Sequence, residues 1–207
     1  MAMPAIASLR RSGIPVSVAI GNQHRHILKP FDLEYATTIR DSICMATNYV
    51  HMQVTEFWLD KFQVEPFRHK VETDHADSVV VISPDSRDSR KRMSIEFWEE
   101  VLDSVNGEVV MIGPKDATAY NANLNKSLKV VDLTGDSIDS TFALLKHARA
   151  VITTDTAISH LSDAMNRVTI TAFNRNNHDK FRPYWTPRVA TNAEMAVSHI
   201  KELKINI

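Results

Sequence analysis

Cysteine, glycine and long apolar runs are what this chain of 207 residues lacks most. Cys44 is the only cysteine, so no disulfide forms within the chain and a reducing compartment is expected. It sits in Ile43-Cys44-Met45 and reads as a small buried hydrophobe rather than a reactive thiol. With 5 glycines there is no glycine-rich dinucleotide fingerprint, no P-loop and no nucleophile elbow, which argues against a flexible loop wrapped around phosphates. No apolar stretch reaches the roughly 20 residues of a transmembrane helix, and the start lacks a basic-then-apolar signal pattern, so a cytoplasmic location is expected. An excess of one charge is also missing. With 24 basic against 25 acidic residues, any anion binding must come from local clusters rather than from the field of the whole molecule. His24, His26, His51 and His178 show no metal-ligand spacing, so neither a metal nor another cofactor is expected.

What the chain does have is a regular alternation of short β-branched runs and helical spacings. Residues 1–13 read as a helix stopped by Ser12-Gly13, followed by a strand over Val16–Ile20. Residues 35–62 have mostly helical apolar spacing, and the polar stretch Val64–Ser78, with Pro66, is the best interdomain connection. From there Val79–Ile82, Val109–Ile112, Lys129–Leu133, Ala150–Ile152 and Val168–Ala172 read as five strands. Helices opened by Ser94 and Ser137, and a polar one near 116–127, lie between them. A last helix spans 192–204. This alternation predicts an α/β fold with a doubly wound parallel sheet. The organisation expected is a reduced N-terminal domain over 1–76, a ligand-binding domain over 77–190 and a C-terminal helix over 191–207.

In such a sheet, ligands bind beyond the carboxyl ends of the strands. Five loops gather there: Ser83–Met93, Gly113–Asp116, Leu133–Ser137, Thr153–Ser159 and Phe173–Arg182. The first carries Arg90-Lys91-Arg92, three cations suited to a diphosphate, since guanidinium offers forked donors to its oxygens. A solvated charged loop has the same composition. The fourth, Thr153-Thr154-Asp155-Thr156-Ala157-Ile158-Ser159-His160-Leu161, turns a strand into a helix whose N–H groups favour an anion. An ordinary turn in which Asp155 or Thr156 caps the helix has the same sequence. His160 suits phosphate contact, proton transfer or simple helix packing.

The order of these motifs resembles a known family. Ser83-Pro84, Lys91-Arg92-Met93-Ser94, Val110-Met111-Ile112-Gly113-Pro114, Leu133-Thr134-Gly135, Asp155 to Leu161, Phe173-Asn174 and Tyr184-Trp185-Thr186-Pro187 follow the pattern of the C-terminal half of lipopolysaccharide heptosyltransferases. Weaker similarity covers Met3–Arg10. The resemblance implies a GT-B-like α/β architecture and an inverting, metal-independent transfer of a sugar from a nucleotide-diphosphate donor to a glycan or lipid-linked acceptor. It implies donor contacts from Ser83, Lys91, Asp155, Thr156 and His160, and together with the loops read above the expected donor site is Ser83, Arg90, Lys91, Arg92, Gly113, Thr134, Gly135, Asp155, Thr156, Ala157 and His160.

Three departures stand out. Ala157 occupies the family's glycine position, which restricts the backbone there. Met93 and Ser94 replace a tryptophan and a proline. The aspartate proposed as the family's acceptor base falls before Met1, so the expectation is either a start further upstream or a reduced protein. Asp32, Glu34, His24 and His26 are the replacement bases at hand, and losing a general base costs roughly 10²–10⁴-fold. The alternatives to an enzyme are a degenerate GT-B protein that binds a nucleotide sugar or a protein partner without catalysis, and an unrelated doubly wound domain. An incomplete first sheet would expose an edge, so a homo- or hetero-oligomer covering it is expected.

Overall fold

In the computed structural model, the chain divides into two compact units, Met1–Val71 and Glu72–Ile207. The structure describes residues 79–114, 120, 121, 123, 124, 130–175, 177–185 and 188–205, with residues 6, 9–13, 17, 18, 34 and 35 of the first unit. Cys44, His24, His26, Asp32, His51, residues 36–62 with their expected helical spacing, and the expected connection Val64–Ser78 lie outside the described residues. In the first unit, strands β1 (Ser17–Val18) and β2 (Glu34–Tyr35) pair in parallel, so Tyr35 belongs to a strand rather than to the start of a helix.

The second unit is built on a six-stranded sheet with spatial order β5-β4-β3-β6-β7-β8 and every neighbouring pair parallel. Its strands are β3 (Val79–Ser83), β4 (Glu108–Met111), β5 (Val131–Asp132), β6 (Ala150–Thr154), β7 (Val168–Ala172) and β8 (Arg188–Ala190). The β-branched runs of β3 and β6 are buried along almost their whole length, as a strand covered on both faces requires. Strand β8 is the sixth, where periodicity predicts five. It has three residues, and its register with Ile170–Ala172 of β7, rather than its own pattern, makes it a strand.

The helices of this unit that are described along their whole length are, in chain order, α1 (Ile95–Asp103), α2 (Ile138–His147), α3 (Ala157–Ala164), α4 (His178–Phe181) and α5 (Ala193–Glu202). Tyr120, Asn121, Asn123 and Leu124 are also helical, within the stretch expected near 116–127. The Ser94 and Ser137 side chains cap α1 and α2 by accepting from the N–H groups of Phe97 and Ser140. Short α4 lies inside the stretch that reads as the last loop. Side chains alternate across a strand, so Val80, Ile82, Val109, Met111, Ala150, Ile152 and Ile170 share one face. There they pack with Phe97, Trp98 and Val101 of α1 and Ala196 and Ile200 of α5. The opposite face meets α2 and α3.

The chain runs outward through β3, β4 and β5, returns to β6 beside β3, and then runs the other way to β8. The order therefore reverses between β3 and β6, where Ser83 pairs with Thr153. Loops leaving the carboxyl ends of these two strands diverge to opposite sides and open a crevice.

Candidate functional site

A cavity of about 460 Å³ occupies this switch point. The loop after β3 contributes Ser83, Asp85, Ser86, Arg87 and Lys91 to its wall. Ile112, Gly113 and Pro114 come from beyond β4, and Asp136, Ile138 and Thr141 from the start of α2. Asp155, Thr156, Ala157 and Ile158 come from the β6–α3 junction. Six residues singled out in the sequence thus share one cavity: Ser83, Lys91, Gly113, Asp155, Thr156 and Ala157.

The junction does not cap its helix in the ordinary way. Thr156 is the N-cap of α3 with extended backbone, but its side chain accepts no hydrogen bond from the helix. Its Oγ1 lies 3.3 Å from Thr153 Oγ1 instead. The Asp155 carboxylate pairs with Lys91, Nζ to Oδ2 2.7 Å, and the same ammonium donates to the Asp155 carbonyl at 3.2 Å. The first turn of α3 therefore faces the cavity without a side-chain cap of its own, where its N–H groups favour an anion. Thr153 Oγ1 donates to the Ser83 carbonyl at 3.1 Å, which fastens the junction to the loop after β3. Ala157 is helical and exposed on the cavity wall, and the described non-glycine residues with positive φ are Asn166 and Lys204. The glycine of the family pattern is thus not required here for its backbone freedom.

The three consecutive cations separate. Lys91 ends a short 3₁₀ turn, Ser89–Lys91, capped by Asp88, and reaches the cavity. Arg90 turns outward and forks onto Asp88, Nε to Oδ1 2.8 Å and Nη2 to Oδ2 2.9 Å, holding that carboxylate down to about 2. Arg92 turns inward to Asp85, Nε to Oδ1 2.6 Å, with its guanidinium 5.6 Å from the centre of the Tyr120 ring. Neither Arg90 nor Arg92 lines the cavity, because each has a nearer carboxylate, so of the joint neutralisation expected of Arg90, Lys91 and Arg92 only the share of Lys91 reaches it.

Thr134, Gly135 and His160 also stand off the cavity wall. Thr134 N–H donates to Asp132 Oδ1 at 2.9 Å, and Gly135, at φ 90°, donates to the Gly113 carbonyl at 3.1 Å. They form the turn that supports Gly113. A Cβ on Gly113 would come within 3.2 Å of Asn121 Nδ2 and 3.4 Å of Thr134 Cγ2, so glycine permits a close approach at this point. Burial, with Lys91 nearby, pushes the His160 imidazole down to about 3, so it is neutral at physiological pH. It offers a neutral ring to a neighbour, not a cation.

Sequence reasoning passed over Arg87, Asp136, Ile138 and Thr141 as site residues. Arg87 and Asp136 fell within two of the five loops singled out, but nothing local separates them from solvated charges. Among the described residues no group of three or more potential ligands is placed to hold a metal ion. Among the described residues, likewise, no helix is long and apolar enough to cross a membrane.

Similarity to known proteins identifies the family. Residues 6–205 match the pattern of glycosyltransferase family 9 (heptosyltransferase). The E. coli heptosyltransferase WaaC with ADP superposes with a TM-score of 0.56 at 17% identity, over 72% of this chain and 55% of that one. A family 9 glycosyltransferase from Veillonella parvula DSM 2008 gives 0.62 at 12% identity, over 92% and 67%. The iron-containing dodecameric glycosyltransferase TibC from enterotoxigenic E. coli H10407 gives 0.59 at 14%, over 92% and 57%. At such identities the likeness shows a shared fold, and the chain spans little more than half the length of WaaC and TibC. No curated protein matches it in sequence. The GT-B-like α/β expectation holds for the parallel sheet, and on the family match across nearly its whole length the chain belongs to glycosyltransferase family 9, the heptosyltransferase family.

Proposed function

We propose that this protein binds a nucleotide-diphosphate sugar in the cavity between β3 and β6 and transfers the sugar, with inversion and without a metal ion, to a glycan or lipid-linked acceptor. The observation that carries the reading is the convergence of the Lys91 ammonium and a helix start without side-chain cap on one crevice at the switch point. A nucleoside diphosphate gains negative charge as the bond to its sugar breaks. A lysine and oriented N–H groups stabilise that charge most when it is fully developed, which lowers the barrier rather than only tightening binding. The charge stabilisation that a metal ion supplies elsewhere falls here to Lys91 and to backbone donors. Asp155 holds the ammonium at the cavity wall, and Thr153 holds the two loops together. The ligands named for WaaC belong to that enzyme and suggest ADP and ADP-linked sugars as the first to try. A cytoplasmic location, and an oligomer covering the edge of the first sheet, belong to the same proposal.

Thermal stabilisation by a panel of ADP, GDP, UDP and their sugar conjugates tests it. Stabilisation should rise with the logarithm of ligand concentration, reaching about 2.7 kcal/mol at 100 times the dissociation constant. It should vanish in Lys91→Ala and Asp155→Ala. If no nucleotide stabilises the protein, the reading fails. Binding without transfer or donor hydrolysis would favour the degenerate, non-catalytic protein. Transfer that survives EDTA and yields the inverted anomer would support the full mechanism.

A further inference from the structure

We propose that Arg87 is the residue that grips the diphosphate of the donor, an assignment that rests on the function proposed above. The loop after β3 carries four cations, and three are already committed. Arg90 is forked onto Asp88, Arg92 is paired with Asp85, and Lys91 lies 2.7 Å from Asp155. Lys91 thus meets a ligand as one half of an ion pair, its charge shared with Asp155. Arg87 lines the same cavity with an exposed side chain and, among the described residues, neither an ion pair nor a hydrogen bond. Of the three carboxylates on the wall, Asp85 is taken up by Arg92 and Asp155 by Lys91, while Asp136 comes from the opposite loop, so Arg87 is the cation of this wall without an ion-pair partner among the described residues.

The backbone on either side of Arg87 is held while its side chain is not. Ser86 N–H donates to Asp85 Oδ1 at 2.7 Å, and Asp88 N–H donates to Ser86 Oγ at 3.3 Å. Asp85 is itself buried and anchored by Arg92, so the base of the arm is fixed on the protein interior. A guanidinium on a fixed base, permanently charged and planar, matches two phosphate oxygens with two parallel donors. An unpaired arginine on an open surface would be unremarkable, because solvent satisfies it. At the rim of a crevice whose other cation, Lys91, is shared with Asp155, it adds an unshared charge that selects for a second phosphate. Discrimination between a nucleoside diphosphate and its monophosphate is therefore the property Arg87 supplies, together with part of the charge stabilisation as the sugar leaves.

The test takes whichever of ADP, GDP or UDP binds most tightly and measures its dissociation constant and that of its monophosphate. The proteins compared are wild type, Arg87→Ala, Arg87→Lys and Arg90→Ala. Arg87→Ala should lose about 10-fold or more for the diphosphate, the usual worth of a charged hydrogen bond, with a much smaller loss for the monophosphate. Arg87→Lys should recover part of that loss, since it keeps the charge without the fork. Arg90→Ala should weaken the diphosphate less than Arg87→Ala does. An unchanged preference for diphosphate in Arg87→Ala, or an equal loss in Arg90→Ala, would overturn the assignment while leaving the donor site standing. Failure of the wild-type protein to bind any of the three would overturn both.

Discussion

Asp85 decides where Arg92 points, and through it the shape of the loop that presents Lys91. The Asp85 side chain is 1% exposed and takes up Arg92 Nε at 2.6 Å, with Asn121 Nδ2 at 3.4 Å from its other oxygen. Asp85→Ala removes the partner of a largely buried guanidinium and should cost about 3 kcal/mol of stability in denaturant unfolding. Removing both charges, Asp85→Ala with Arg92→Met, should cost less than the sum of the two single changes, because no charge is then left unpaired. His160 makes a prediction about pH. Its folded value of about 3 lies below the ordinary 6.5, so between those limits the unfolded chain takes up a proton that the folded chain refuses. Its contribution is intact above pH 6.5 and is lost as the pH falls towards 3. Stability should therefore rise from pH 5 to 6.5 in the wild type and rise less steeply in His160→Asn, and the imidazole resonances should stay unshifted from pH 8 to 5.

Helix α3 shows how an element can be held in place while its functional end is left open. Ser159 Oγ and Ser162 Oγ donate back to the carbonyls of Thr156 and Ile158 at 2.7 and 2.8 Å, so small polar side chains stay satisfied where the helix meets the sheet. At its other end, buried Asp163 accepts the N–H groups of Tyr184 and Trp185, both at 3.0 Å. Asp163→Ala should free the segment that leads into β8, at a cost of about 2 kcal/mol with loss of near-UV aromatic signal. The open N-terminus argues for a trade of stability against binding. Thr156→Asp would supply the missing cap and a charge that suits the helix end, so the ligand-free protein should gain about 0.5–1 kcal/mol. The same carboxylate would repel a diphosphate, so nucleotide affinity should fall. A variant with higher affinity would show that the helix end does not face the anion.

At the scale of the molecule, the site exists because two strands adjacent in space are far apart in sequence. Strands β3 and β6 pair from Val80–Ala150 to Ser83–Thr153, and the chain between them builds the other half of one wing of the sheet. A ligand in the crevice would touch loops from both wings. Hydrogen exchange should accordingly slow in residues 84–94 and 155–160 together when nucleotide is added. Protection confined to one loop would place the ligand outside the crevice.

The sequence by itself determined the elements and their class. Runs such as Val79–Ile82 and Val168–Ala172 carry their strand character in β-branched residues, and Ser94 and Ser137 carry their caps, because these preferences act between residues a few positions apart. It also brought Lys91 and Asp155 to the same end of the sheet, since alternating strands and helices leave few topologies to consider. Tertiary structure decided which cations are free, although only Lys91 is claimed from far along the chain, Arg90 and Arg92 being taken by carboxylates two and seven residues away. Arg87, Arg90, Lys91 and Arg92 are similar in sequence, yet Asp88, Asp155 and Asp85 claim three of them. It alone made Arg188–Ala190 a strand, turned Thr156 away from capping its helix, and held His160 neutral. The reason is distance along the chain. Lys91 and Asp155 are 64 residues apart, and the field, burial and hydrogen bonds that fix a charged group come from whatever the fold brings beside it.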